Sequence, residues 1–260
     1  MTNQILLTDC LSYMQDKQEN FIDLTFTSPP YYNARDYSNY QSYQDYLSFL
    51  QNVFSEVFRL TNNGRFCIVN TSPVLTERAR RSAESVRHPI PFDLHHIMQQ
   101  IGWQYLDDII WIKPEPSVKN RNAGFGQHRK PLAYKPNTVT EYLFVYRKPD
   151  GKLLDYHMRK YDKEIIQQSL VDNYPSTNVW FIPPARDKIH KAVFPYKLCE
   201  NVVKLYSYVG DTIYDPFCGI GTLGRAAIDL KRKFIGTEFT EKYFLISKEI
   251  MNNYDIQCIE

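Results

Sequence analysis

Short apolar runs alternate along this chain with stretches of helical periodicity, and no other feature restricts the fold as much. Residues 5–7, 22–26, 65–70, 105–112, 141–146, 212–214 and 234–236 read as strands. Between the second and third, Leu47, Leu50, Phe54, Val57 and Phe58 recur at helical spacing over 46–60. Strand, helix, strand of that length implies a parallel crossover. Asn62-Asn63-Gly64 is placed to stop this helix, and Thr240 to cap a closing one. A further helix is expected from Pro195, where a proline costs no hydrogen bond, with Leu198, Val202, Val203 and Tyr206 on one side. A chain of 260 residues without an internal repeat is then expected to be a single α/β domain over 1–260. Its expected architecture is a seven-stranded doubly wound sheet with loop insertions.

Two loops interrupt this pattern at strand ends, where open α/β sheets bind ligands. The first is Ser28-Pro29-Pro30-Tyr31. Two prolines carry no amide hydrogen, so the carbonyls here stay outside any ladder and are free to accept. With a hydroxyl and an aromatic ring beside them they suit a planar group bearing an amine; a plain proline turn is the other reading of these residues alone. The second loop, Asp215-Pro216-Phe217-Cys218-Gly219-Ile220-Gly221-Thr222, joins a strand to a helix. Its glycines admit a ligand close to the backbone, and the helix amino end favours a negative group. No lysine follows the last glycine, so it is not a nucleoside-triphosphate loop. Glu238 ends the next strand, where an acid can grip a ribose diol. Strand, glycine loop, helix and Glu238 together indicate a nucleoside-containing cofactor.

Net charge, at +2, says little about partners, but its distribution does. Residues 113–136 hold Lys113, Lys119, Arg121, His128, Arg129, Lys130 and Lys135 against Glu115 alone, and 71–91 hold Arg78, Arg80, Arg81, Arg87 and His88 against Glu77 and Glu84. A solvated face and a nucleic-acid contact both account for the second cluster; the long glycine-containing first one points to function. The five cysteines form no CxxC pair, which favours a reducing cytoplasm and no metal site. No apolar window of about 18 residues is present, so no membrane span is expected.

The two loops in this order resemble the S-adenosylmethionine-dependent DNA amino-methyltransferases, in their permuted β class. There a [DNS]-Pro-Pro-[YFW] loop holds the target base and Asp-Pro-Phe-x-Gly-x-Gly-Thr binds the cofactor. Further matches are Thr8-Asp9-Cys10, Asn63-Gly64-Arg65, Ile110 to Pro114, Thr140-Glu141-Tyr142 and His190 to Pro195. The resemblance implies a Rossmann-like methyltransferase sheet with circularly permuted motif order. Asp215, Phe217, Gly219, Gly221 and Thr222 would line the methionine and ribose side of S-adenosylmethionine, Glu238 would accept from the ribose, Asp9 would reach the adenine amine, and Phe194-Pro195 would pack over the methionine part. Ile220 departs from the small residue usual there and leaves both glycines intact.

The same resemblance assigns catalysis to Ser28, Pro29, Pro30 and Tyr31, with Tyr31 stacking on a flipped base. Serine in the first position usually accompanies N4 methylation of cytosine, as in restriction-modification systems; aspartate or asparagine accompanies adenine. Methylation at ring carbon 5 would need a cysteine after a proline, and no cysteine here has one. Arg78, Arg80, Arg81, Lys119, Arg121, Arg129, Lys130 and Lys135 are the candidates for duplex phosphates, 113–136 is the expected DNA-contact loop, and 150–189 the expected target-recognition insertion. A homodimer and a separate cognate endonuclease complete what the family implies. Adenine-N6 methylation, RNA methylation and a catalytically idle nucleic-acid-binding module are the rivals.

Overall fold

In the computed structural model the seven expected strands form the interior of one sheet, and a three-residue strand closes each edge. Residues 3–33, 40–76, 80, 85–118, 131–132, 134, 136–185 and 193–260 are described. In chain order the elements are β1 (Gln4–Leu7), α1 (Cys10–Gln15), β2 (Ile22–Thr27), α2 (Tyr43–Leu60), β3 (Thr61–Thr71), β4 (Val74–Leu75), β5 (Arg87–His88), α3 (Ile90–Ile101), β6 (Gln104–Ile112), β7 (Thr140–Arg147), α4 (Leu154–Met158), α5 (Lys163–Gln168), β8 (Val179–Phe181), α6 (Tyr196–Tyr206), β9 (Thr212–Asp215), α7 (Thr222–Asp229), β10 (Lys233–Glu238), α8 (Glu241–Ile250) and β11 (Gln257–Ile259). The sheet order is β11-β1-β10-β9-β2-β3-β7-β6-β8, and β4 and β5 make a separate ribbon. Only β7 among the sheet strands runs antiparallel, to both β3 and β6.

Successive residues of each strand serve opposite faces, so the sheet has a core on either side. Leu24, Phe26, Ile68 and Ile213 face a cluster filled by α6, α7 and α8 through Leu198, Val202, Leu223, Ala226 and Phe244. Cys67, Val69 and Tyr214 face the other, filled by α1, α2 and α3 through Met14, Leu50, Phe54, Leu94 and Met98. This is the doubly wound arrangement that the alternation predicts. Packing rather than propensity fixes the helices: α2 buries Tyr46, Leu50, Val53, Phe54, Val57 and Leu60, worth on the order of 10 kcal/mol against a few tenths per residue for propensity.

Two local expectations change. Helix α2 passes directly into β3 at Thr61, so Asn62-Asn63-Gly64 belongs to the strand instead of stopping the helix. There the Asn62 amide donates to Asp23 Oδ1 at 2.9 Å, a partner that lies 39 residues away and outcompetes a local turn. Thr240 stands at the N-cap of α8, yet its side chain makes no cap bond. Within the expected insertion, residues 150–185 contribute α4, α5 and β8, and Trp180 is buried in the first core; 186–189 lie outside the described residues.

Candidate active site

Strands β2 and β9 are parallel neighbours, with Leu24 opposite Ile213 and Thr25 opposite Tyr214. The chain leaves β2 towards β3 and leaves β9 towards β10, so their carboxyl ends open a crevice at the point where the winding reverses. The Pro-Pro loop and the glycine loop both begin there. They line one cavity of about 500 Å³, within the roughly 300–1,000 Å³ of small-molecule sites. Ser28, Pro29, Pro30 and Tyr31 form one wall; Asp9, Phe194, Asp215, Phe217, Gly219, Thr222 and Glu238 form the other. Pro195 and Gly221 stand one step behind it, as the N-caps of α6 and α7.

A buried hydrogen bond ties the two loops together, Thr27 Oγ1 donating to Asp215 Oδ1 at 2.6 Å, and the Phe217 amide donates to the same oxygen at 3.0 Å. Burial nevertheless pushes the Asp215 carboxyl up to about 7, with the charge of Glu238 adding to the rise. Glu238 accepts from the Gly219 amide on Oε2 at 2.9 Å and from the Thr240 amide on Oε1 at 2.8 Å. Its pKa too is raised by burial, against the pull of those amides. The carboxylate, which the Thr240 side chain also bonds, therefore shapes the glycine loop while keeping part of its accepting capacity for a ligand. Asp9 gives one oxygen to the Ser12 amide, capping α1, at 2.9 Å. Gly236 explains the tightness of the loop: a Cβ there would lie 2.9 Å from Cys218 Cβ and Sγ.

The cavity contains more around the Pro-Pro loop than the four expected residues. Asn70, Trp111, Lys113 and Glu141 also line the cavity. Glu141 accepts from the Tyr31 hydroxyl at 3.3 Å and pairs with Lys113. Trp111, Lys113 and Glu141 fall in matched segments of the sequence, where a charge set at the end of an apolar strand was the available signal. Burial and the Glu141 charge hold the Tyr31 phenol well above the ordinary tyrosine range. The Cys10 thiol is pushed by burial up to about 12 and that of Cys218 also rises, so the thiols on this cavity stay protonated. Among the described residues no cluster fit for a metal ion occurs, and no helix is long and apolar enough to cross a membrane. Of the expected phosphate contacts, Arg80 is described and exposed; Arg78, Arg81, Lys119, Arg121, Arg129, Lys130 and Lys135 lie outside the described residues.

S-adenosylmethionine fits this chemistry. Its positive charge would be matched by the acids that line the cavity, Asp9, Asp215 and Glu238, its diol would need an acceptor with spare lone pairs, and its flat adenine would need faces such as those of Phe194 and Phe217. Fold and cavity thus define the class as an S-adenosylmethionine-dependent methyltransferase. The sequence model of the N6/N4 DNA methylases matches residues 22–249, and the chain belongs to this family of DNA methyltransferases. It is similar to the orphan methyltransferase M.BamHII of Bacillus amyloliquefaciens, 29% identical over 90% of either chain, and to the type II methyltransferase M.SmaI of Serratia marcescens, 28% identical over 95% of this chain and 89% of that one. Among solved structures, a Thermus thermophilus protein assigned as a DNA modification methylase, in complex with S-adenosyl-L-methionine, matches with TM-score 0.80 and 26% identity over 99% of this chain and 98% of that one. The PvuII DNA methyltransferase, a cytosine-N4-specific enzyme, matches at TM-score 0.68 with 18% identity, covering 100% of this chain and 95% of that one, and so shares the fold.

Proposed function

We propose that this chain methylates N4 of a cytosine flipped out of duplex DNA. The observation that carries the reading is Ser28, at the head of a Pro-Pro-Tyr loop that shares one cavity with the cofactor loop. An exocyclic amine is a poor nucleophile because its lone pair is delocalised into the ring. The Ser28 hydroxyl and the Pro29 carbonyl accept its two hydrogens, draw the nitrogen towards tetrahedral geometry and localise the pair. When bound, S-adenosylmethionine supplies an electrophilic methyl group. Asp9, Phe194, Pro195, Asp215, Phe217, Gly219, Gly221, Thr222 and Glu238 hold that cofactor in the roles the family resemblance gives them, and the hydrogen bond from Thr27 to Asp215 keeps their loop in register with the target loop. Tyr31 stacks on the flipped base.

The same reading takes 1–260 as one methyltransferase domain, 150–189 as the segment that reads sequence, and 113–136 together with Arg78, Arg80 and Arg81 as the phosphate-contacting surface. Its partners are duplex DNA, a second copy of the chain and an endonuclease acting separately. Nucleoside analysis of DNA from a host expressing the chain tests the base. N4-methylcytosine is expected; N6-methyladenine as the sole product overturns the assignment while leaving the amine chemistry intact.

A further inference from the structure

Glu141 is held from both sides. Its Oε2 accepts the Tyr31 hydroxyl and its Oε1 is paired with the Lys113 ammonium. That ammonium lies 4.5 Å from the centre of the Trp111 ring, and the Trp111 indole donates to the Ile182 carbonyl at 2.7 Å. The chain of contacts is built by the sheet: Trp111 of β6 faces Glu141 of β7. With side chains 19% and 15% exposed, Lys113 and Glu141 form a secluded pair. Pairs of this kind offset their own desolvation at best, so stability alone is a weak reason to keep one, and fixing a register is the better attested use.

We propose that the Lys113–Glu141 pair is a positioning device for Tyr31, setting the tilt of its ring against the target base by accepting a hydrogen bond from its hydroxyl. The inference rests on the reading of Tyr31 as the stacking ring. Two bonds rotate between the Tyr31 backbone and its ring, and a hydrogen bond at the far end removes that freedom. Lys113, paired with the other carboxylate oxygen, keeps the acceptor aimed. A phenol that donates to a carboxylate also carries a more electron-rich ring, which suits the positive charge that develops on the base as the methyl group arrives.

Single-turnover transfer of a tritiated methyl group from S-adenosylmethionine to a long mixed-sequence duplex tests this, with wild type, Tyr31→Ala, Tyr31→Phe, Glu141→Gln, the double variant Lys113→Met/Glu141→Leu, and that double variant combined with Tyr31→Phe. Tyr31→Phe and the double variant should each slow transfer about tenfold or more, the worth of a hydrogen bond to a charged group. The triple variant should be no slower than Tyr31→Phe, which removes the hydroxyl's contacts with both Glu141 and Ser28, because the double variant removes only the first of the two. Glu141→Gln, which keeps an acceptor, should fall less, and cofactor affinity should stay within about twofold of wild type throughout. Additive losses, or a matching loss of cofactor affinity, overturn the inference. So does a Lys113→Met variant whose salt dependence of DNA binding drops by about one counterion, since Lys113 would then contact phosphate with the rest of the 113–136 segment instead of holding Glu141. Tyr31→Ala at wild-type rate overturns the stacking role itself; a slow Tyr31→Ala beside a wild-type-like Tyr31→Phe and double variant overturns the positioning device alone.

Discussion

Glu238 is asked to do two things with one carboxylate, shaping the glycine loop through the Gly219 and Thr240 amides and offering its remaining lone pairs to a ligand. Glu238→Gln turns an NH2 group towards one of those amides, so a buried donor loses its acceptor. The dissociation constant for S-adenosylmethionine, read by calorimetry, should rise about 10- to 100-fold. Asp215 gives a second prediction. Its pKa stands at about 7 in the folded chain against 3.8 for the free group. Between those values the folded chain keeps a proton that the unfolded chain has released, so stability falls as pH rises through the window and the loss is complete above the folded value. Asp215→Asn removes this titration. Urea melts at pH 5 and pH 8 should show the variant gaining roughly 2–3 kcal/mol on wild type between the two. Glu238 was legible in the sequence because it ends a short apolar run one unit after the glycine loop. The Glu141 and Lys113 pairing was not, since it depends on the register of two antiparallel strands and their residues lie 28 positions apart.

At the scale of elements, the close approach of β10 to the cofactor loop depends on Gly236. Gly236→Ala would set a Cβ 2.9 Å from Cys218, and the backbone on one side must move. The cost should be about 1–3 kcal/mol in denaturant melts, with weaker cofactor binding, as for other overpacked sites. Helix α2 was readable because six buried residues recur at its own period along its 18 residues. Strands β8 and β11 were not: three residues show no period, and what makes them strands is pairing with β6 and β1. The direction of β7 was hidden for a related reason, because an apolar run reads the same whichever way it runs.

At the scale of the molecule, the end of the sheet opposite the cavity is stitched by charge. Arg65 donates to Asp23 Oδ1 at 3.2 Å and to Asp211 Oδ2 at 2.8 Å, while the Tyr161 hydroxyl donates to Asp211 Oδ1 at 2.6 Å. Arg65→Met leaves the buried Asp211 and the half-buried Asp23 without that cation. It should cost about 3–5 kcal/mol of stability while leaving single-turnover transfer, measured well below the melting point, within about twofold of wild type. The doubly wound class was legible from alternation alone, and the meeting of the two loops followed from their places at strand ends. The bond that joins them, between Thr27 and Asp215, spans 188 residues of sequence, and no local pattern announces it.

The pairing of β2 with β9 also has a mechanical meaning. The glycine loop and the Pro-Pro loop cannot slide past one another without shearing the two central strands, so the distance between them is the stiffest coordinate of the site. Compliance has to reside elsewhere, in the aromatic side chains that line the cavity. Hydrogen exchange should read this directly: the amides of Leu24, Thr25, Ile213 and Tyr214, at the paired positions, should open only when the whole protein does.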